Sequence, residues 1–195
     1  MIVYVYAVAY MTTAVSMLRG VNLGPYKRVK MDALRELYES LGLLDVQTYV
    51  QSGNVVFRTR ARSLAGVAAK IEAEIEQRFG FSSTVILRTP DEMRSVVARN
   101  PFAERSGIEP SKFLVTFLSR EPDEEARKKV LGIPAEPEEL RLDGREMYIY
   151  FPNGMARPKL PLAAIERALK IPSTGRNWNT VLKLLEMAEA LTGKL

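Results

Sequence analysis

The distribution of apolar and polar positions divides the first half of the chain into strands and helices. A mostly apolar run over residues 13–18 is typical of a buried strand. Residues 31–41 carry apolar side chains at helical spacing and are followed by Gly42, which predicts a helix and its end. Runs at 46–50 and 54–58 flank Ser52-Gly53 and predict a hairpin.

A second helix and a fourth strand complete this half. Ser63 is a suitable N-cap for apolar positions at helical spacing over residues 64–79, and Gly80 predicts the end of that helix. Residues 84–88 then form a short strand-like run. The order strand, helix, strand, strand, helix, strand is the split βαβ pattern of ferredoxin-like folds. We therefore expect an α+β protein with a ferredoxin-like subdomain over residues 12–98.

The second half repeats these element types less clearly. The predicted elements are a helix at 91–98, a strand at 112–118, a charged helix at 122–131, hairpin strands at 139–142 and 145–151, and helices at 160–169 and 177–191. This series predicts a second, related α/β subdomain over residues 99–195 with C-terminal helices. It resembles an incomplete or permuted copy of the first half.

The first residues differ from the rest. Residues 1–10 are apolar and uncharged, lack the positive region of a signal peptide, and are too few to span a bilayer. Met11 followed by two threonines would make an ordinary start, so residues 1–11 are interpreted as an N-terminal extension. The alternative is an edge strand over residues 2–5. We expect no membrane association.

The predicted topology brings two polar segments together. In a sheet with strands in the order four, one, three, two, the first and second strands end at the same edge. The loop 19–28 and the turn 51–54 should therefore adjoin, so that Arg19, Asn22 and Lys27 face Ser52 and Asn54. Backbone amides before a helix, with cations nearby, favour an anion.

Each of these segments also has a purely structural interpretation. Glycine and asparagine satisfy tight loops, and Gln51-Ser52-Gly53-Asn54 is suited to a turn. A third polar segment, residues 176–180, begins the last predicted helix, where Asn177 or Thr174 is a candidate cap and Trp178 begins an apolar face. Arg176 is harder to explain, because a cation at a helix N-terminus is unfavourable unless a negative group is present.

Composition excludes several chemistries. The chain has 195 residues without cysteine or histidine, which excludes disulfides, thiolate metal sites, cysteine nucleophiles and the commonest general base. We expect no metal and no cofactor. The absence of cysteine is compatible with a reducing compartment, so a cytoplasmic location is expected. The acidic residues give no clear catalytic pair, and Glu72, Glu74 and Glu76 are interpreted as a solvated helix face.

The distribution of charge favours an anionic partner. The net charge is +5, and the excess lies in residues 1–60, with seven Lys/Arg and four Asp/Glu, and in residues 152–195, with seven and three. These segments contain the three polar stretches. A phosphate-bearing ligand is one explanation, and solubility is the other.

Several segments together resemble a known family. They are residues 18–24, Val29-Lys30-Met31 with Leu34, residues 49–57, Asn100-Pro101-Phe102 and residues 174–181. In combination they are similar to the Domain of Unknown Function 1697 family of bacterial proteins over residues 12–190. That family usually has Ser-Lys-Leu where this chain has Pro158-Lys159-Leu160, so a role for Lys159 is retained and a serine hydroxyl is not. The resemblance implies an α/β protein with ferredoxin-like subdomains and no established activity.

Three functions remain open from the sequence. The first is binding of a phosphate-bearing small molecule or nucleotide, with RNA less favoured because Tyr49 and Phe57 form no RNP-type pattern. The second is a metal-independent transferase or hydrolase, with Lys27 or Lys159 as acid or base and Ser52 or Tyr49 as its partner. The third is a partner-binding module without catalysis. The candidate ligand-binding residues are Arg19, Asn22, Lys27, Ser52, Asn54, Lys159, Arg176 and Asn179.

Overall fold

The computed structural model describes residues 11–193, and the N-terminal segment interpreted as an extension lies almost entirely outside them. Within this range the chain forms two four-stranded antiparallel sheets and six α-helices. The protein is therefore α+β, as the element pattern predicts. The helices within residues 11–193 include none that is long and apolar enough to cross a membrane.

The first sheet has the predicted strand order. Its elements are β1 (Thr12–Leu18), α1 (Met31–Ser40), β2 (Leu44–Tyr49), β3 (Asn54–Thr59), α2 (Leu64–Phe79) and β4 (Val85–Arg88). The strands lie in the order β2-β3-β1-β4. Ser63 caps α2 by accepting a hydrogen bond from the Gly66 amide, and Gly80 ends it in the left-handed conformation, as predicted.

The second half is a complete copy of the first. Its elements are α3 (Pro90–Ala98), β5 (Phe113–Leu118), α4 (Glu124–Leu131), β6 (Glu139–Asp143), β7 (Glu146–Tyr150), α5 (Leu162–Leu169), β8 (Ser173–Asn177) and α6 (Trp178–Thr192). The strand order β6-β7-β5-β8 is equivalent to that of the first sheet. The expectation of an incomplete or permuted copy was therefore wrong. Strand β8 was not predicted, because its sequence Ser-Thr-Gly-Arg-Asn contains no apolar residue.

Within residues 11–193, three apolar cores hold the sheets and helices together. One lies between the outer face of the first sheet and α1 with α2, and one between the second sheet and α4 with α5. The central core contains side chains from both sheets together with those of α3 and α6. Because both halves contribute to the central core, the division at residues 98 and 99 stays a prediction.

An arginine occupies the same position in each sheet. Arg88 of β4 lies opposite Val15 of β1, and Arg176 of β8 lies opposite Val115 of β5. Both arginines are buried, with relative exposures of 1% and 5%. Each therefore comes from the last strand of its own half and sits beside the first strand.

Each of these arginines reaches the other half of the molecule. The Arg88 Nη2 donates to the Leu118 carbonyl at the end of β5, at 2.8 Å. The Arg176 Nη2 donates to the Leu18 carbonyl at the end of β1, at 2.9 Å. The two contacts are reciprocal, so the sheets are joined by the same hydrogen bond twice.

Arg88 also has a charged partner. Its Nε donates to Glu146 at 3.0 Å, and the other oxygen of Glu146 accepts from Arg99 at 3.1 Å. Burial lowers the pKa of Arg88, although the Glu146 carboxylate opposes that effect. Nearby, Arg145 donates to Glu92, whose second oxygen accepts from the Thr89 amide.

The turn between β2 and β3 tests how tightly the edge of the first sheet is packed. Gly53 has φ +70°, and a Cβ there would lie 2.5 Å from Val21 Cγ2 and 2.9 Å from Leu18 Cβ. Gly42 has φ +74° but faces open space, so it is a matched control. Gly42→Ala should cost about 1–2 kcal/mol from backbone strain alone. Gly53→Ala should cost about 1–3 kcal/mol more from overpacking. Equal losses in urea denaturation would contradict this packing.

The Glu92 contact makes stability depend on pH. Burial alone would raise the pKa of Glu92, but the Thr89 amide and Arg145 outweigh it and lower that pKa below its ordinary value near 4.5. The stabilisation is therefore present above that value and is lost as pH falls through the lower folded value. Glu92→Gln should destabilise the protein at pH 7 and have less effect near pH 3, measured by thermal unfolding at both. A penalty that does not change with pH would show that the carboxylate charge is unimportant.

Candidate functional site

Arg176 is the centre of the polar cluster that the sequence predicts. Its Nε donates to Asn54 Oδ1, its Nη1 to Thr174 Oγ1 at 2.7 Å and the Gly175 carbonyl at 2.8 Å. Its Nη2 donates to the carbonyls of Leu18 and Ser52, at 2.9 and 3.0 Å. All five guanidinium N–H groups are thus used within the protein. The prediction that Arg176 waits at a helix N-terminus for an anion was wrong, because it lies within β8.

The neighbouring amide side chain of Asn54 also forms its hydrogen bonds within the protein. The Asn54 amide donates to the Tyr49 carbonyl at 3.1 Å and to Ser52 Oγ at 2.9 Å. Asn54 is fully buried at the first residue of β3. With its oxygen on Arg176 and its amide on the turn, Asn54 has a structural role, and Ser52 contacts it through the hydroxyl.

Asn22 joins the β1–α1 loop to the β2–β3 turn. Its amide donates to the carbonyls of Val29 and Gln51, at 2.9 and 2.7 Å, and its oxygen accepts from the Val29 amide at 2.9 Å. The predicted adjacency of the two segments is confirmed. The contacts close the loop on main-chain groups instead of leaving Asn22 available to a ligand.

No carboxylate among the described residues accepts a hydrogen bond from Arg176. Among residues 11–193, the groups that accept its hydrogen bonds are all uncharged. Asn54, opposite Met17, holds the sheet position that Glu146 holds opposite Phe117 in the second sheet. Burial lowers the pKa of Arg176 to about 10. It stays protonated at pH 7, and its positive field extends to its surroundings.

A cleft of about 810 Å³ adjoins this cluster. It lies where β1 ends and where β4 and β8 begin, with α2 along one side. Thr174, whose hydroxyl accepts from Arg176, is one of its walls. Residues that carry hydroxyl groups line it further: Ser82, Ser83 and Thr84 just before β4, and Ser173 at the start of β8.

Two of the predicted cations line the cleft. Arg19 lies 3.5 Å from Glu166 of α5, and the two side chains are 45% and 60% exposed. Lys27 Nζ donates to the Ser82 carbonyl at 2.8 Å and lies 5.9 Å from the centre of the Phe81 ring. Lys27 therefore faces the start of β4 and not the β2–β3 turn, contrary to the expected arrangement.

Carboxylates line the same cleft. Glu72 and Glu76 project from one face of α2, four residues apart, and Glu166 comes from α5. Glu72 accepts from the Val85 amide at 2.7 Å and is half-buried, so the prediction of a solvated face was wrong for this residue. Glu74 pairs with Arg78 at 2.9 Å, and Glu76 is exposed. The cleft is therefore a site of mixed charge.

Two predicted residues lie away from this site. Lys159 follows β7, at the edge of the second sheet where β5 begins, and its backbone amide donates to Glu138 at 3.1 Å. Asn179 lies in the first turn of α6, beyond the end of β8. The cleft adjoins the start of β8, which is the opposite edge, and neither residue lines it. Asn177 caps α6 and Trp178 lies in the central core, as predicted.

The predicted topology also implies cleft residues that were absent from the predicted site. In the order four, one, three, two, the fourth strand begins beside the end of the first, so Ser82, Ser83 and Thr84 belong to the same edge. The Arg19 amide donates to the Thr84 carbonyl at 2.9 Å, as that order requires. Glu166 and Ser173 had no such signal, because they depend on how the halves pack.

The described chain offers little for metal binding. Residues 11–193 contain no group of three or more histidine, cysteine, aspartate or glutamate residues that could hold a metal ion.

The fold and cleft define a class of protein. The protein consists of two repeated four-stranded α+β units that are joined by reciprocal hydrogen bonds from buried arginines, and a polar cleft lies between the units. The family model described as protein of unknown function, DUF1697, matches residues 11–148, which is more than half of the chain. The chain belongs to this family, as the resemblance of its segments predicts. A search of curated proteins found no match.

A solved structure shares this fold. The conserved bacterial protein SP0830 from Streptococcus pneumoniae superposes with a TM-score of 0.69 at 22% sequence identity. The match covers 92% of this chain and 99% of the other. At this identity the similarity concerns the fold alone.

The Arg176 contacts predict a large cost for a conservative substitution. A lysine has three donors and cannot serve five acceptors, so Arg176→Lys should leave buried carbonyls without partners. We expect a loss of about 2 kcal/mol or more in the free energy of unfolding, measured with urea. Arg28→Lys is the matched control, because Arg28 is exposed, and should change stability by about 0.5 kcal/mol or less. If the two variants were equally stable, the hydrogen bonds of Arg176 would not be important for joining the two halves.

Proposed function

We propose that the protein binds a small phosphate-bearing ligand, a sugar phosphate or a nucleotide, in the cleft beside Arg176. The observation that carries this proposal is the placement of Arg19 and Lys27 on a cleft of about 810 Å³. That volume lies within the range of about 300–1,000 Å³ in which small-molecule sites occur.

The two cations have donors to offer. Lys27 uses one of its three N–H donors on Ser82. The Arg19–Glu166 pair is long, at 3.5 Å, and largely exposed, and such pairs contribute little to stability. A phosphate group can therefore replace Glu166 on Arg19 at small cost.

The carboxylates match the rest of such a ligand. A carboxylate accepts hydrogen bonds from sugar hydroxyl groups, as acidic residues do in dinucleotide sites. Glu76 is exposed on the face of α2 that lines the cleft, whereas Lys27 belongs to the β1–α1 loop. A ligand with a phosphate at one end and hydroxyl groups at the other fits this division.

The buried charge of Arg176 also favours a negatively charged group of the ligand. Its guanidinium is neutralised by no carboxylate within the described residues, and Thr174 connects it to the wall of the cleft. In a partly buried site, an uncompensated cation favours a negative group nearby.

The catalytic alternative lacks comparable support. The Ser52 hydroxyl contacts the Asn54 amide rather than a lysine, and Lys159 lies at the opposite edge of the second sheet. Ligand binding is therefore the function that the geometry supports best.

Thermal unfolding in the presence of ligands tests the proposal. The probes are inorganic phosphate, pyrophosphate, ribose 5-phosphate and nucleoside mono-, di- and triphosphates. At 100 times its Kd, a true ligand should raise the Tm by roughly 5–10 °C for a protein of this size. Arg19→Ala and Lys27→Ala should each raise the Kd roughly tenfold, because each removes a hydrogen bond to a charged group.

Arg62→Ala is the matched control. Arg62 is exposed and follows β3, which begins at the cleft edge and runs away from it, so its loss should leave the Kd unchanged. The proposal is wrong if none of the phosphates raises the Tm, or if Arg62→Ala weakens binding as much as Arg19→Ala does.

A further inference from the structure

The tip of the β1–α1 loop exposes two large apolar side chains. Leu23 is 82% exposed and Tyr26 is 84% exposed. The other exposed large hydrophobic residues of the described chain reach at most 49%. Two such side chains three residues apart point to a contact with another molecule.

The loop tip, residues 23–26, is held at its base. The backbone N–H of Asn22 donates to the Lys27 carbonyl at 3.0 Å, and both residues have φ 55°. The Asn22 side chain fixes this base to Val29 and Gln51. A tip that is already ordered loses less entropy on binding than a free loop does.

The chain segment that contains the tip is positively charged, although Leu23 also lines the cleft with its three glutamates. Arg19, Lys27, Arg28 and Lys30 flank the tip, and residues 19–31 contain no aspartate or glutamate. All four cations are exposed. Arg28 is held beside the tip by a 3.3 Å hydrogen bond from its Nε to the Gly24 carbonyl.

An exposed aromatic ring among cations has a specific chemical complement. Single-stranded nucleic acid presents phosphates to the cations and unpaired bases that stack on an aromatic ring. We propose that the loop tip docks single-stranded nucleic acid, with Tyr26 stacking on a base and Arg28 and Lys30 contacting phosphates. The proposal goes beyond small-ligand binding, because these three residues lie outside the cleft.

An anionic membrane surface is less well matched. Peripheral membrane binding usually relies on an amphipathic helix with a long apolar face. Here the apolar surface consists of two side chains on a short loop, and one of them is an aromatic residue suited to stacking. Single-stranded nucleic acid is therefore the occupant that the charge and the ring together favour.

Fluorescence anisotropy with labelled 12-nucleotide oligo(dT) and oligo(U) tests the proposal on the full chain. Binding should weaken steeply as salt increases. Tyr26→Ala should raise the Kd roughly fivefold or more, whereas Tyr26→Phe should retain the affinity because it keeps the ring. Arg28→Ala and Lys30→Ala should each weaken binding to both oligonucleotides and reduce the salt dependence.

Arg62→Ala serves as the charge-matched control and should leave the affinity close to that of the parent protein. Thermal unfolding of each variant verifies that it is folded. Failure to bind either oligonucleotide at low salt would overturn the proposal, as would equal effects of Tyr26→Ala and Arg62→Ala. Equal affinity for a duplex of the same length would also overturn it. So would Tyr26-dependent binding to phosphatidylserine vesicles without oligonucleotide binding, since the partner would then be a membrane surface.

Discussion

The two halves of this protein are joined by a pair of buried cations that each donate to main-chain oxygens of the opposite sheet. Arg88 reaches the end of β5 and Arg176 the end of β1. A buried guanidinium is tolerated when its donors are all matched, and each unmatched acceptor is costly. The relative position of the sheets is therefore set by hydrogen-bond geometry as well as by the apolar central core. The shape of the cleft beside Arg176 depends on that position, because residues of both halves line the cleft.

The repeat is not symmetric in charge. Arg88 has Glu146 as a partner, whereas the equivalent partner of Arg176 is the neutral Asn54. The difference leaves Arg176 without a carboxylate partner among the described residues, and the adjoining cleft is lined by Arg19 and Lys27 together with three glutamates. The same fold thus contains one arginine that is paired with a carboxylate and one that donates to neutral groups.

Much of this architecture follows from the sequence. Apolar periodicity, Ser63, Gly42 and Gly80 define the first half, and the strand order then places loop 19–28 beside turn 51–54 without further information. Strand β8 was missed because its inward positions are Thr174 and Arg176 instead of apolar residues. That miss explains the wrong environment predicted for Arg176, since a side chain in a strand next to the other half meets carbonyl groups and not solvent.

The site was harder to predict for the same physical reason. Residue types showed which side chains are polar or charged, but not which of them would form hydrogen bonds within the fold. Asn22, Asn54 and Arg176 satisfy main-chain groups, whereas Arg19 and Lys27 remain at a surface. Lys159 belongs to the opposite sheet edge, which depends on the packing of the second half.

The central core has a consequence for how the chain comes apart. Its apolar side chains come from both sheets and from α3 and α6, so neither half encloses it alone. Pulling the halves apart would expose this surface to water and break both arginine contacts at once. The chain should therefore unfold in one cooperative step. A fragment that ends after the first sheet would expose an apolar surface and should be prone to aggregation.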